Sequence, residues 1–248
     1  MKLDKSKYTK EEFQKLLEQR RRKKSAEMFS PPVAPTPVPQ RLPNQLTANN
    51  YGFVIGNGTS RQGIDLNYLK PHGKIYGCNA LYREFEPDYL IAVDVKMINE
   101  IEKTGWQNTH NVWTNPNKAF RNYNGFNYFQ PSKGWSSGPT ALWLSAQHGY
   151  KKIFILGFDY AGLEENKLVN NIYSDTQNYK KSTDGATYYG NWLKQTCQVI
   201  RENSKILFYR VILPDNFIPV ELNKFSNLKH ITVEEFKNMF NITLSQTK

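Results

Sequence analysis

Along this chain the apolar positions fall into short runs, separated by stretches in which they recur every three or four residues. Short runs of this kind are strand cores, and the periodic stretches are amphipathic helices. The pattern predicts strands at 51–55, 74–78, 89–93, 111–114, 152–157 and 205–212, and helices at 95–103, 138–149, 188–203 and 232–240. Thr232 and Glu235 have capping-box spacing at the start of the last helix. Alternation of strands and helices is expected of an α/β fold, here a Rossmann-like, mostly parallel sheet with helices on both faces. Ligands of such sheets bind beyond the carboxyl ends of the strands, so the residues that follow each run carry the functional argument.

Val54-Ile55 runs into Gly56-Asn57-Gly58-Thr59-Ser60-Arg61, a loop with two glycines, an amide and two hydroxyls. Glycines let backbone amides approach a ligand, and small polar side chains can bond a phosphate or a ribose; a tight strand-to-helix turn without a ligand is the alternative. Asn79 ends the second run, as a nucleotide contact or as a cap of the turn after it. Asp94 ends the third, where a carboxylate can hold Mg²⁺ or a ribose hydroxyl, or simply serve as the N-cap of the helix at Val95. Ser136-Ser137-Gly138 precedes a helix whose free amides make a ready anion site, and Pro139 suits its first turn. Gly157-Phe158-Asp159-Tyr160 ends the most apolar run. The stretch 160–190 holds five tyrosines and few aliphatic residues, and reads as a lid or acceptor-binding loop. None of the four histidines is spaced with another as a metal pair, and His148 before Gly149 reads as a structural cap. Neither a nucleophile elbow nor a Walker loop is present.

Composition adds an appendage to this domain. Of the net charge of +11, residues 1–30 supply ten Lys or Arg against five Asp or Glu. They read as a basic helical tail with Arg20-Arg21-Arg22-Lys23-Lys24 inside it and a capping box at Thr9 and Glu12. The tail is either a solvated helix or a tether to a protein, a nucleic acid or an acidic surface. Residues 31–49 form a Pro-rich linker, with six of the thirteen prolines between 31 and 43. The folded domain is expected over 50–248, with 160–190 as its lid-like insertion. Its mild positive charge suits an anionic small ligand rather than demanding nucleic acid. Cys78 and Cys197 give neither a disulfide framework nor metal-ligand spacing. With a charged N-terminus, no apolar leader and no apolar run near the ~20 residues of a membrane span, the expectation is a cytoplasmic protein without a membrane span.

Taken in order, Gly56-Asn57-Gly58-Thr59-Ser60, Gly63-Ile64-Asp65, Cys78-Asn79, Ser136-Ser137-Gly138, Gly149-Tyr150-Lys151-Lys152-Ile153 and Gly157-Phe158-Asp159-Tyr160 resemble the bacterial family 42 sialyltransferases, which use CMP-activated sialic acid. The segments from Pro87 to Asp94 and from Ser137 to Asp159 are also similar to the Maf-type flagellin glycosylation factors and the archaeal hydroxymethyl-dihydropterin pyrophosphokinases. The resemblance spans roughly residues 51–160. It implies nucleotide or donor binding by Asn57, Gly58, Ser60, Asn79, Ser137, Gly138, Asp159, Tyr160 and Tyr173, with no metal and no cofactor beyond the CMP-sugar donor. It departs from the sialyltransferases at their His-Tyr-x-Gly-His segment. Thr187-Tyr188-Tyr189-Gly190-Asn191 stands there, and no histidine occurs anywhere in 161–229. General-base work would then fall to Asp184 or Tyr188, with Asp175 a further candidate.

The leading expectation is a glycosyltransferase that moves a nonulosonic acid from a CMP-activated donor to an unknown glycan or small-molecule acceptor. One alternative is a Mg-ATP-dependent pyrophosphokinase of the pterin type, with Asp94 on the metal. The other is a non-enzymatic, phage-borne structural or nucleotide-binding protein tethered by its basic tail, since short relatives of this superfamily occur in phage genomes.

Overall fold

Alternate residues of the strands feed two different cores. Phe53, Ile55, Ile75, Phe154, Leu156, Tyr209 and Val211 pack on one face of the sheet, while Val54, Tyr76, Ile153, Ile155 and Phe208 pack on the other. Strands buried on both faces belong in a parallel sheet covered twice by helices. The structure is a computed structural model and describes residues 51–120 and 122–241. The basic tail expected at 1–30 and the linker at 31–49 lie outside the described residues.

The strands are β1 (Tyr51–Ile55), β2 (Gly73–Cys78), β3 (Tyr89–Ile91), β4 (Val112–Thr114), β5 (Phe126–Tyr128), β6 (Lys152–Leu156), β7 (Leu207–Ile212) and β8 (Leu228–Thr232). They form one eight-stranded sheet in the order β5-β4-β3-β2-β1-β6-β7-β8. Every pairing between neighbours is parallel. The main helices are α1 (Val95–Thr104), α2 (Ser137–Gln147), α3 (Gly190–Glu202) and α4 (Val233–Met239). Met97, Ile98 and Ile101 of α1 and Phe236 of α4 cover the first face. Leu142 and Leu144 of α2 and Leu193, Val199 and Ile200 of α3 cover the second.

The Rossmann-like α/β fold read from the sequence is therefore the fold observed, with small differences at the element ends. Gly105, at φ +70°, stops α1 in the left-handed conformation that glycine adopts without penalty. Thr232 and Glu235 form the expected capping box of α4. Two strands were not foreseen. Phe126–Tyr128 is three residues long in polar surroundings, and Leu228–Thr232 is interrupted by Lys229 and His230. Both end up near the margins of the sheet, where less burial leaves a weaker apolar signature.

An aromatic cluster fixes the middle of the first face. The Phe154 ring stacks on Phe53 at 5.5 Å and on Tyr209 at 4.9 Å, and it meets Phe240 edge-on at 5.0 Å. Burying each such ring is worth about 2 kcal/mol. This packing holds β1, β6 and β7 in register beneath the edge where the loops emerge.

The chain builds outward from β1 to β5, returns through α2, and builds in the other direction from β6 to β8. The order reverses between β1 and β6. A crevice opens at such a reversal because the connections leave on opposite sides. Among the described residues no helix is long and apolar enough to cross a membrane.

Candidate functional site

The two loops beside the reversal are joined backbone to backbone. Gly56 N donates to Leu156 O at 2.8 Å, and Gly58 N to Gly157 O at 2.9 Å. Only glycine fits at this crossing: a Cβ on Gly58 would lie 2.5 Å from Asp159 Oδ2 and 2.8 Å from Gly157 O. Asp159 completes the joint by accepting from Ser60 N at 3.1 Å and from Ser60 Oγ. Its carboxylate is thus committed to the protein, and Ser60 is buried behind it.

Arg61 anchors the same loop from below. Its Nε donates to Gly56 O at 2.7 Å, and one terminal nitrogen reaches Glu84 Oε1 at 3.1 Å and Tyr173 Oη at 2.9 Å. Tyr173 Oη in turn donates to Glu84. Burial pushes the Tyr173 phenol well above its ordinary range. Neither Ser60 nor Tyr173 lines the cleft, so the ligand contacts expected of them are replaced by bonds within its wall.

Across the crevice, Asn79 and the start of α2 meet. Ser137 Oγ donates to Asn79 Oδ1 at 2.8 Å and accepts from Val93 N at 3.1 Å. Asn79 adopts φ +52°, a left-handed conformation that asparagine tolerates better than most residues. Ser136 is the N-cap of α2 but makes no side-chain cap bond. Its amide donates to Gln195 Oε1 at 3.1 Å, whereas the amides of Ser137 and Gly138 find no acceptor among the described residues. Two free amides at the positive end of an eleven-residue helix favour an anion.

The segment 170–180 closes one side of the cleft. Ile172 N donates to Asn57 O at 2.9 Å, and Asn170 Oδ1 accepts from Thr59 N and Thr59 Oγ1, each at 2.9 Å. Tyr179 Oη accepts from Asn57 Nδ2 at 3.2 Å and from Ala80 N at 3.3 Å. Arg83 pairs with Glu100 at 2.6 Å and donates to Thr176 Oγ1 at 2.8 Å and Gln177 O at 2.9 Å. This part of the stretch read as a lid is a wall pinned at several points.

These loops enclose an open cleft of about 670 Å³. Asn57, Gly58, Asn79, Ser137 and Gly138 line it, together with Asp159 and Tyr160. Tyr160, at φ +55°, turns its hydroxyl away to Thr196 Oγ1 at 2.8 Å, and its ring lies 5.2 Å from the Arg210 guanidinium. Arg210 is only 1% exposed. It donates to Phe158 O at 2.8 Å, to Asp159 O at 3.1 Å and to Phe217 O at 3.1 Å. Burial lowers its pKa from the ordinary arginine value. It holds the β6 loop from beneath, a role that no local sequence pattern announces.

The catalytic candidates separate by position. Asp184 Oδ2 caps its own turn by accepting from Lys181 N at 2.8 Å, and Tyr188 is 77% exposed; neither lines the cleft. Asp175 is exposed and its carboxyl is lowered by bonds from Ser182. Asp94 does line the cleft. As the N-cap of α1 it makes no side-chain cap bond, contrary to the capping role open to it in the sequence. Partial burial raises its carboxyl pKa above the usual carboxylate value. His148 closes the end of α2 and accepts or donates at Tyr76 Oη, with its ring held at a pKa of about 4 by burial. Among the described residues no group of three or more His, Cys, Asp or Glu is arranged to hold a metal.

At the aromatic end of the cleft, sequence reasoning placed Tyr189 in an acceptor-binding stretch but passed over Trp135 and Trp192. Trp135, Tyr189 and Trp192 line it together with Gln195. Their signal was present as aromatic residues flanking the first turns of α2 and α3. Comparison with protein-family models, with curated proteins and with solved structures returns no match.

Proposed function

We propose that the protein is a glycosyltransferase that takes a nonulosonic acid from a CMP-activated donor. The observation that carries this reading is the convergence on one cleft of Asn57 and Gly58 after β1, Asn79 after β2 and the free amides of Ser137 and Gly138. Such a set suits a mononucleotide phosphate held by uncharged donors. Lys180 is the only Lys or Arg lining the cleft among the described residues, and its ammonium is bonded to Gly185 O at 3.1 Å. The helix end and the amides therefore supply the electropositive environment themselves.

In this reading the acceptor hydroxyl oxygen attacks the anomeric carbon of the donor sugar. The bond from that carbon to the phosphate oxygen breaks, and CMP departs with the electron pair. Inversion follows from direct displacement. The amides of Ser137 and Gly138 stabilise charge growing on the departing phosphate. Asp94 takes the acceptor proton, because it is the carboxylate in the cleft that no group among the described residues occupies. Its raised pKa makes it a stronger base than an ordinary carboxylate. Asn57 and Asn79 bind the nucleoside.

Calorimetric titration of the full-length protein with CMP, CDP, ATP and GTP, with and without Mg²⁺, tests the reading. Metal-independent binding of CMP that Asn79→Gly weakens at least tenfold supports it. One observation favours a second reading: a lone unpartnered carboxylate beside a phosphate site can also hold Mg²⁺. Magnesium-dependent ATP binding lost in Asp94→Asn would make the protein a pyrophosphokinase instead. Failure of all four nucleotides to bind the folded protein would leave a non-enzymatic role, with the basic tail as the place to look for it.

A further inference from the structure

The end of the cleft away from the glycine loops has a different chemistry. Trp135 precedes Ser136, whose amide is bonded to Gln195, and Trp192 lies one helical turn before Gln195 on α3. The hydrogen bond between Ser136 and Gln195 therefore clasps together the two segments that carry the tryptophans. Tyr189, the N-cap of α3, completes the group. The Lys133 ammonium lies 5.1 Å from the Trp135 ring and 4.7 Å from Trp143, which fixes the Trp135 side chain against α2. Trp192 is left 39% exposed, and Trp135 and Tyr189 are half-buried. Around these rings the lining is neutral and polar: Thr187, Asn191 and Gln195.

One exposed and two half-buried aromatic rings beside uncharged amides and a hydroxyl suit a ligand with one apolar face and hydroxyls around its edge. A pyranose has that form: its C–H face packs on a ring while its hydroxyls bond side-chain amides. Lys133 sits over the Trp135 and Trp143 rings without lining the cleft, so among the described residues no Lys or Arg other than the bonded Lys180 faces a charged acceptor there, and a purely apolar one would strand the amides. We propose that Trp135, Tyr189 and Trp192 form the acceptor subsite and that the acceptor is a neutral carbohydrate. This inference rests on the transferase reading for the word acceptor, whereas the carbohydrate site itself does not.

The test uses the full-length protein with methyl glucoside, methyl galactoside, cellobiose, maltose and lactose as probes. Saturation-transfer NMR and tryptophan fluorescence read their binding in the presence and absence of CMP. Trp192→Ala should weaken the bound saccharide about tenfold or more while CMP affinity stays within twofold. Trp192 is solvent-facing, so the variant should keep its melting temperature, and Trp192→Tyr should restore most of the binding. Saccharide binding that Trp192→Ala leaves unchanged would overturn the proposal. So would CMP binding with none of the five saccharides bound, or displacement of a saccharide by a flat heterocycle such as a pterin. Saccharide binding that needs Trp192, in a protein that ignores CMP, would keep the carbohydrate site and reject the CMP-donor reading.

Discussion

Ser137 Oγ donates to Asn79 Oδ1 at 2.8 Å, tying the first turn of α2 to the end of β2. The bond orients the Asn79 amide so that its nitrogen is free, and it leaves the Ser137 backbone amide for a ligand. Asn79 sits at φ +52°, so its conformation and its side chain make separable contributions. Asn79→Ala should destabilise the protein by about 1–2 kcal/mol, because alanine is strained there and the bond is lost. Asn79→Gly loses the same bond but relieves the strain, so it should cost less than the alanine variant in a denaturant titration, yet it should weaken nucleotide binding as much. Equal binding by Asn79→Gly and the parent protein would remove Asn79 from the site.

Arg210 makes the corresponding contribution beneath β6. Three carbonyls, those of Phe158, Asp159 and Phe217, depend on its guanidinium. Arg210→Leu leaves them without these donors and should cost about 2–4 kcal/mol, less than three full penalties because the buried charge is removed as well. Arg210→Lys should recover only part of this, since one ammonium cannot span three acceptors. Chemical denaturation measures both. Nucleotide binding should fall with Arg210→Leu even where the protein remains folded, because Asp159 and Tyr160 lose their support.

These two residues also mark what was legible in the sequence. Lys152–Leu156 and Tyr51–Ile55 announce themselves because the central strands are buried on both faces, and Asn79 stands out as an amide directly after an apolar run. Arg210 does not, because a cation inside a strand signals nothing until the carbonyls it serves, two of them some fifty residues earlier, are known. The same applies to Arg61 with Glu84 and Tyr173: their link closes over separations of 23 and 112 residues. Ser60 looked like a ligand contact because a serine in a glycine loop usually faces outward, but here Asp159 draws it inward. Trp135 and Trp192 carried a visible composition signal but no spacing that joined them; the bond between Ser136 and Gln195 supplies the connection.

Asp94 separates chemistry from binding. Its carboxyl is raised by burial and bonded to no described group, so it contributes little to stability in its charged form. Asp94→Asn should leave the melting temperature at pH 7 unchanged or slightly higher. A general-base role requires the same change to reduce transfer at least a hundredfold, the usual scale of such catalysis being about 10²–10⁴, with CMP affinity retained. The same role requires the rate in the parent protein to rise with pH as Asp94 ionises, at a pH above the ordinary aspartate value. Undiminished transfer in Asp94→Asn would send the search for the base elsewhere.

Two histidines, His148 buried and His230 half-buried, set the response of the fold to mild acid. Burial lowers His148 to about 4, and burial together with the charge of Arg210, beside it on the neighbouring strand, lowers His230 to about 4. In the unfolded chain both rings bind a proton near the ordinary value of about 6.5. Between those limits the unfolded state takes up protons that the folded state refuses, so stability is complete above about pH 7 and declines as the pH falls from 6.5 toward 4. For His148 the full loss is up to about 3 kcal/mol. The lowered carboxyls of Glu100, Asp175 and Glu235 act in the same direction but mainly below about pH 4.5, and the raised carboxyl of Asp94 acts in the opposite direction, so comparison with a histidine variant over about pH 6.5 to 4.5 separates the histidine contribution. Melting temperatures recorded across that window should fall steadily in the parent protein and more shallowly in His148→Gln. A flat profile in the parent protein would mean that these rings are protonated as readily when folded as when unfolded.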